Sequence, residues 1–140
     1  MVNIFLSCSS KDHNTIEIII DALKSLPDNY KLIYFLQPYK NNTPMQEIME
    51  SLCKADLFIV FITNNSLDSE FVQYELKEAI ELSNLRKIKE ICPIILDNNI
   101  DVNLDCRIPW FIKNCAIHHS KSPTIATQIA KNFILKYKEA

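Results

Sequence analysis

Hydrophobic and polar positions along this chain switch repeatedly between two periods. Val2–Ser7, residues 31–36, Leu57–Ile62, residues 91–96 and residues 115–118 are short, mostly apolar runs bounded by polar residues, the pattern of strands buried on both faces. Between them the apolar positions recur at helical spacing. Asp12 or Asn14 can cap a helix whose Ile16, Ile19, Ile20, Leu23 and Leu26 share a face and which Pro27 stops. Residues 45–54, entered through Pro44, gather Ile48, Met49 and Leu52 on one side. After a polar loop at 63–68 a further helix carries Val72, Leu76, Ala79 and Ser83. A closing helix at 123–137 offers Ile125, Ile129, Phe133, Leu135 and Tyr137 to the core. Residues 97–111 have no clean period and read as a long loop with a helical turn, packed by the apolar knob Pro109, Trp110 and Phe111.

Strands alternating with helices predict an α/β chain, a flavodoxin-like three-layer sandwich. Right-handed crossovers place the early strands centrally, so the expected sheet is five-stranded and parallel, in order 2-1-3-4-5, with helices on both faces. In that order the switch point falls between the first and third strands. Residues 7–11 and 63–68 should face each other across a crevice at the carboxyl edge, flanked by residues 37–44. At 140 residues and 48% apolar side chains the chain is the size of one domain, and it can equally be a piece of a longer sensor-effector protein.

Composition removes several function classes. With 15 basic and 17 acidic side chains intermixed, no basic footprint for nucleic acid or an anionic membrane is present. The apolar runs fall short of the ~20 residues of a membrane span, and the amino terminus lacks the basic opening and cleavage site of a secretory signal. Five cysteines without CxxC spacing read as reduced thiols of a cytoplasmic protein rather than a disulfide or zinc framework. Cys8, without a histidine partner, reads as packing and not as a nucleophile. His118 and His119 are adjacent in a strand and point to opposite faces, so no metal site is expected. Glycine is absent altogether, which excludes both the Walker loop and the GxGxxG fingerprint. Positive-φ turns are therefore assigned to asparagine, at Asn29, Asn41, Asn42, Asn64, Asn65, Asn98, Asn99 and Asn114.

The candidate chemistry lies in 57–82, where a wholly apolar strand feeds a loop and then a helix bearing Glu75 one turn after Phe71. By helical period alone Glu75 is one solvated acid among Glu70, Glu78 and Glu81, and Phe71 belongs to the core. Two patterns alter that reading: F-x-S-x-S-x-x-D from Phe5 to Asp12, and S-x-[F/W]-V-x-x-E from Ser69 to Glu75, joined by the apolar strand and followed by CPIILD and RIPWF. In these the chain resembles a Toll/interleukin-1 receptor (TIR) domain over essentially its whole length, especially the bacterial type that cleaves NAD. Phe71 stands where that pattern usually has tryptophan. The resemblance implies that Glu75 is catalytic and that Ser7, Cys8, Ser9, Ser10, Lys11, Phe35, Phe71 and Ser69 bind substrate. It also implies a gating loop including Gln37, Pro38, Tyr39, Asn41 and Asn42, with asparagines where glycine is common.

The implied activity is an NAD glycohydrolase that needs no cofactor, NAD being the substrate. It would release nicotinamide and leave ADP-ribose or a cyclic isomer, serve prokaryotic antiviral defence, and be activated by homotypic TIR assembly with a fused or separate sensor. One carboxylate is chemically sufficient, because nicotinamide leaves as a neutral base from a ring that is already cationic; most glycosidases need two. The same residues leave open a non-catalytic TIR–TIR interaction module or a nucleoside deoxyribosyltransferase-like enzyme. A response-regulator receiver is set aside, since Ser7, Cys8 and Ser9 stand where its acidic pair belongs.

Overall fold

The computed structural model describes residues 1–35, 45–120 and 122–138. Five strands, β1 (Val2–Ser7), β2 (Tyr30–Tyr34), β3 (Leu57–Ile62), β4 (Glu90–Ile95) and β5 (His118–His119), form one parallel sheet in the order β2-β1-β3-β4-β5. This is the expected flavodoxin-like α/β architecture. The helices are α1 (His13–Leu23), α2 (Met45–Cys53), α3 (Asn64–Leu67), α4 (Glu70–Asn84), α5 (Trp110–Lys113) and α6 (Pro123–Lys136). No helix among the described residues is long and apolar enough to cross a membrane.

Strand alternation sorts the side chains into two layers. Ile4, Leu6, Leu57, Ile59 and Phe61 pack with Ile16, Ile19, Ile20 and Leu23 of α1 and with Ala126, Ala130 and Ile134 of α6. Phe5, Phe58, Val60 and Ile62 face the other way, against Ile48 and Leu52 of α2 and Val72, Leu76 and Ala79 of α4. There the Phe5 and Phe58 rings stack at 5.7 Å between centroids, and Phe35 tilts onto Phe5 at 6.0 Å. All six residues of β3 are buried, as a central strand covered on both faces requires. Burial of each such side chain contributes roughly 1.5–3 kcal/mol, so this strand anchors the fold.

Several expectations are corrected. Residues 63–68, expected as loop, contain α3, because Thr63 and Ser66 form a reciprocal capping box that sustains one helical turn. The last strand is His118–His119 rather than 115–118, set by the pairing of Ile94 with His118. The buried face of α6 is Ala126, Thr127, Ala130 and Ile134. Its small side chains let the helix approach closely, which leaves Ile129 and Phe133 as partly buried flanks and Ile125 and Leu135 exposed. Trp110 does not pack the long loop: it is 76% exposed, while Phe111 beside it packs inward.

Among the described residues the positive φ falls on no asparagine but on Arg86, at 61°. Arg86 follows α4, where its N–H donates to Ser83 and that of Lys87 to Leu82, the paired bonds of a Schellman stop. Pro44 and the expected Asn41–Asn42 turn lie outside the described residues.

Candidate functional site

Strand parity decides where the site forms. Ser7 closes β1 two residues after Phe5 and so points into the α2/α4 layer, where it is the polar end of an apolar row. Glu75 lies on α4 one turn after Phe71, next to Leu76 on the buried stripe. The two side chains meet: Ser7 Oγ donates to Glu75 Oε1 at 2.8 Å, with Ser7 fully buried and Glu75 only 2% exposed. The surface position that helical period assigns to Glu75 is thereby corrected. A carboxylate taken out of water costs several kcal/mol unless it is hydrogen-bonded, and here a hydroxyl on a central strand is aimed at it.

α4 is held firmly where it presents Glu75. Ser69 is its N-cap and accepts from the Val72 amide. Gln73 Nε2 donates to the carbonyls of Leu67 and Arg107 at 2.9 and 3.2 Å, tying the helix to the segments after β3 and β4. Phe71 is partly buried and packs against the core layer on the Glu75 side of the sheet, as does Phe35 at the end of β2.

The carboxyl edge of the sheet carries a continuous polar chain. Asp12 accepts from Thr63 Oγ1 at 2.5 Å and from Asn65 Nδ2 at 2.8 Å, so the segments after β1 and β3 are bridged where an open crevice was expected. Asp12 sits at the start of α1 yet makes no side-chain cap bond, its lone pairs going to Thr63 and Asn65 instead. From α3 the chain continues through Asn64, whose backbone N–H donates to Asp97 Oδ2 at 2.7 Å and whose Nδ2 donates to Asn99 Oδ1 at 3.1 Å. Arg107 closes it, donating to Asn64, Asp68 and both Asp105 oxygens at 2.7–3.0 Å. The Arg107 hydrogen bonds hold the Asp105 carboxyl below its ordinary range, and the same bonds to Asp105 and Asp68 raise the guanidinium's pKa. Asp97 and Arg107 stood in the sequence only as the ends of CPIILD and RIPWF, with no role assigned, because residues 97–111 show no period. Asp12 carried a signal, as the closing position of the Phe5–Asp12 pattern.

The other assigned residues separate by task. Cys8 lies in the α1/α6 layer, and burial, reinforced by the charges of Glu75 and Asp12, pushes its thiol up to about 12. Burial therefore disfavours the thiolate that a nucleophile needs. Ser9 is buried and accepts from the Lys11 amide, capping the 3₁₀ turn Ser10–Asp12. Ser10 is half-buried and Lys11 exposed at that turn. Gln37, Pro38, Tyr39, Asn41 and Asn42 lie outside the described residues. No cluster of three metal-ligating side chains occurs among the described residues. A separate cavity of about 640 Å³, lined by Cys92, Cys115, His118 and Tyr137 among others, opens at the amino end of β4, away from Glu75.

Similarity to known proteins supports the same architecture. No curated protein matches the chain. Among solved structures, the TIR domain of the Toll-related receptor TRR-2 from Hydra magnipapillata superimposes with a TM-score of 0.65 at 13% identity, covering 94% of each chain. The CMP N-glycosidase BcmB of Clostridium botulinum superimposes with a TM-score of 0.61 at 17% identity, covering 94% of this chain and 98% of its own. At these identities the likeness is one of fold. The family model of the TIR domain matches residues 4–117, so most of the sheet and the whole of the Ser7–Glu75 site fall within it, and the chain belongs to the TIR domain family.

Proposed function

We propose that this TIR domain is an N-glycosidase whose catalytic residue is Glu75 and whose substrate is NAD. The observation that carries the reading is the buried Ser7–Glu75 pair at the carboxyl end of β1, the edge where parallel sheets bind ligands. An apolar side chain meets purely structural needs at such a position at least as well, so a buried carboxylate there supports a working role.

In the reaction the bond between ribose C1′ and the nicotinamide nitrogen breaks, and its electron pair neutralises the pyridinium. Glu75 stabilises the developing ribosyl cation through its negative charge and accepts hydrogen bonds from the ribose hydroxyls. Water captures C1′ and loses a proton, giving ADP-ribose; attack by an atom of the adenine or of the second ribose gives a cyclic isomer instead. In this reading Phe71 and Phe35, which pack on the Glu75 side of the sheet, would supply apolar surface to the substrate, and Ser9, Ser10 and Lys11 would contact its diphosphate. The enzyme then acts as a cytoplasmic, NAD-consuming effector of antiviral defence, switched on by homotypic assembly.

A second reading is favoured by the fold shared with the CMP N-glycosidase: a nucleoside monophosphate as substrate. Cytosine leaves less readily than nicotinamide, because it must be protonated or otherwise stabilised as it departs.

NAD and CMP are incubated separately with concentrated protein, and released base is separated from nucleotide product. Nicotinamide release is expected, falling about a hundredfold or more in Glu75→Ala and Glu75→Gln. Equal NAD consumption by wild type and Glu75→Ala removes the assignment of Glu75. Release of cytosine alone transfers the proposal to the monophosphate. Assembly without base release at any attainable concentration makes the domain an interaction module.

A further inference from the structure

We infer that Ser7 is a positioning residue for Glu75: its hydroxyl fixes the plane of the carboxylate and favours the ionised form, without itself touching substrate. The inference rests on the catalytic assignment of Glu75. Its geometric basis is independent of any ligand.

Ser7 ends β1, a strand with neighbours on both sides, and pairs with Val60 of β3. Its backbone is fixed by the sheet, and its side chain is 0% exposed. An ionised carboxylate can only accept, so in the 2.8 Å contact the serine O–H must donate. A hydrogen bond to the charged form is short, strong and lowers the carboxyl pKa, and it removes one rotational freedom from the Glu75 side chain. Ser9 and Ser69, the other serines assigned to the site, accept from backbone amides as local caps. Ser7 instead spans 68 residues of sequence to reach the one buried carboxylate among the described residues. In this role Ser7 serves Glu75, where the resemblance made it one of the substrate contacts.

Other charged groups surround the pair. Cys8, next along the chain, senses the charge of Glu75, with that of Asp12 beyond it. Glu78 lies one turn further along α4, and Tyr74 and Cys53 interact where α4 packs on α2. All of these are the same in wild type and in a Ser7 variant, so a difference between the two titrations isolates the hydroxyl.

The test compares wild type, Ser7→Ala, Ser7→Thr and Glu75→Ala, each checked for folding by circular dichroism, in two readouts. The first is NAD cleavage against pH. Ser7→Ala should lower kcat about tenfold while KM stays within about twofold, and the acid limb of its kcat profile should move up by about half to one pH unit. Ser7→Thr, which keeps the hydroxyl, should recover most of kcat. The second readout needs no turnover: the Glu75 carboxyl carbon, assigned by its loss in Glu75→Gln, titrates by NMR at higher pH in Ser7→Ala than in wild type. If Ser7→Ala does not fold, Ser7→Cys, a weaker donor of similar size, takes its place with the same expected directions.

A raised KM at unchanged kcat would make Ser7 a substrate contact and overturn the inference. An unmoved Glu75 titration overturns it as well, whether or not the protein turns over NAD. If Glu75→Ala keeps full activity, the function proposed above fails. If Glu75→Ala is inactive while Ser7→Ala behaves as wild type in both readouts, only the positioning role is lost.

Discussion

Glu75 and Cys8 are near neighbours with opposite destinies, and burial decides both. Glu75 sits among apolar side chains on α4 and is met by a hydroxyl. Cys8 is enclosed in the opposite layer, where desolvation and two nearby carboxylates hold its thiol neutral. Cys92 in β4 is similarly pushed up to about 12 by burial, with Cys115 adding to it. Burial thus disfavours both thiolates at pH 8, whereas Cys53 and Cys106 are exposed. Alkylation of the native protein at pH 8 should therefore modify Cys53 and Cys106 first, Cys115 more slowly, and Cys8 and Cys92 only after denaturation. Peptide mapping by mass spectrometry reads the order, and modification of Cys8 as fast as Cys106 would contradict this account of the β1 end. The packing role of Cys8 was legible in the sequence, whereas the burial of Glu75 was not: by helical period Glu75 matched Glu70, Glu78 and Glu81. What distinguishes it is the side chain 68 positions away that it meets.

The elements follow their local signals closely, and the departures have local causes. α4 starts at Ser69 as an N-cap, and α3 exists because Thr63 and Ser66 cap each other. The face of α6 is offset from the expected one because alanines pack closer than isoleucines, a choice made by the neighbouring surface of α1 and the sheet. The stop of α4 is the clearest cost of a chain without glycine. Arg86 takes the left-handed position at φ 61° that glycine occupies most readily, at an expense of about 1 kcal/mol. Arg86→Gly should therefore stabilise the domain by up to about 1 kcal/mol, raising Tm by a few degrees. Thermal unfolding followed by circular dichroism checks it; a lower Tm would mean that the arginine side chain contributes more than its backbone strain costs.

Over the whole molecule, the two layers place different groups in low dielectric, and this gives stability a pH dependence at the alkaline end. Cys8 and Cys92 have folded-state pKa values raised above the ordinary thiol value of 9.0. Below pH 9 both are protonated whether folded or unfolded, and their contribution is fully present. Above it the unfolded chain releases protons that the native state retains, so stability falls between pH 9 and about 12, by at most about 1.4 kcal/mol per pH unit for each thiol. Urea midpoints measured from pH 8 to 11 should decline, and a Cys8→Ala, Cys92→Ala double variant should decline less steeply; parallel slopes would refute the assignment. The order of strands, the two helical layers and the central place of Leu57–Ile62 followed from the sequence by itself, because hydrophobic periodicity and right-handed crossovers are local or nearly local rules. The chain also supplied the TIR patterns ending at Asp12 and Glu75. Tertiary structure alone decided that Ser7 and Glu75 share a buried hydrogen bond, and that Asp12, Asn64, Asp97 and Arg107 lock the loops of the carboxyl edge together. Those contacts join residues up to 68 apart in the chain, and no period or propensity encodes a meeting that exists only once the sheet has brought the two strands and their helices to one edge.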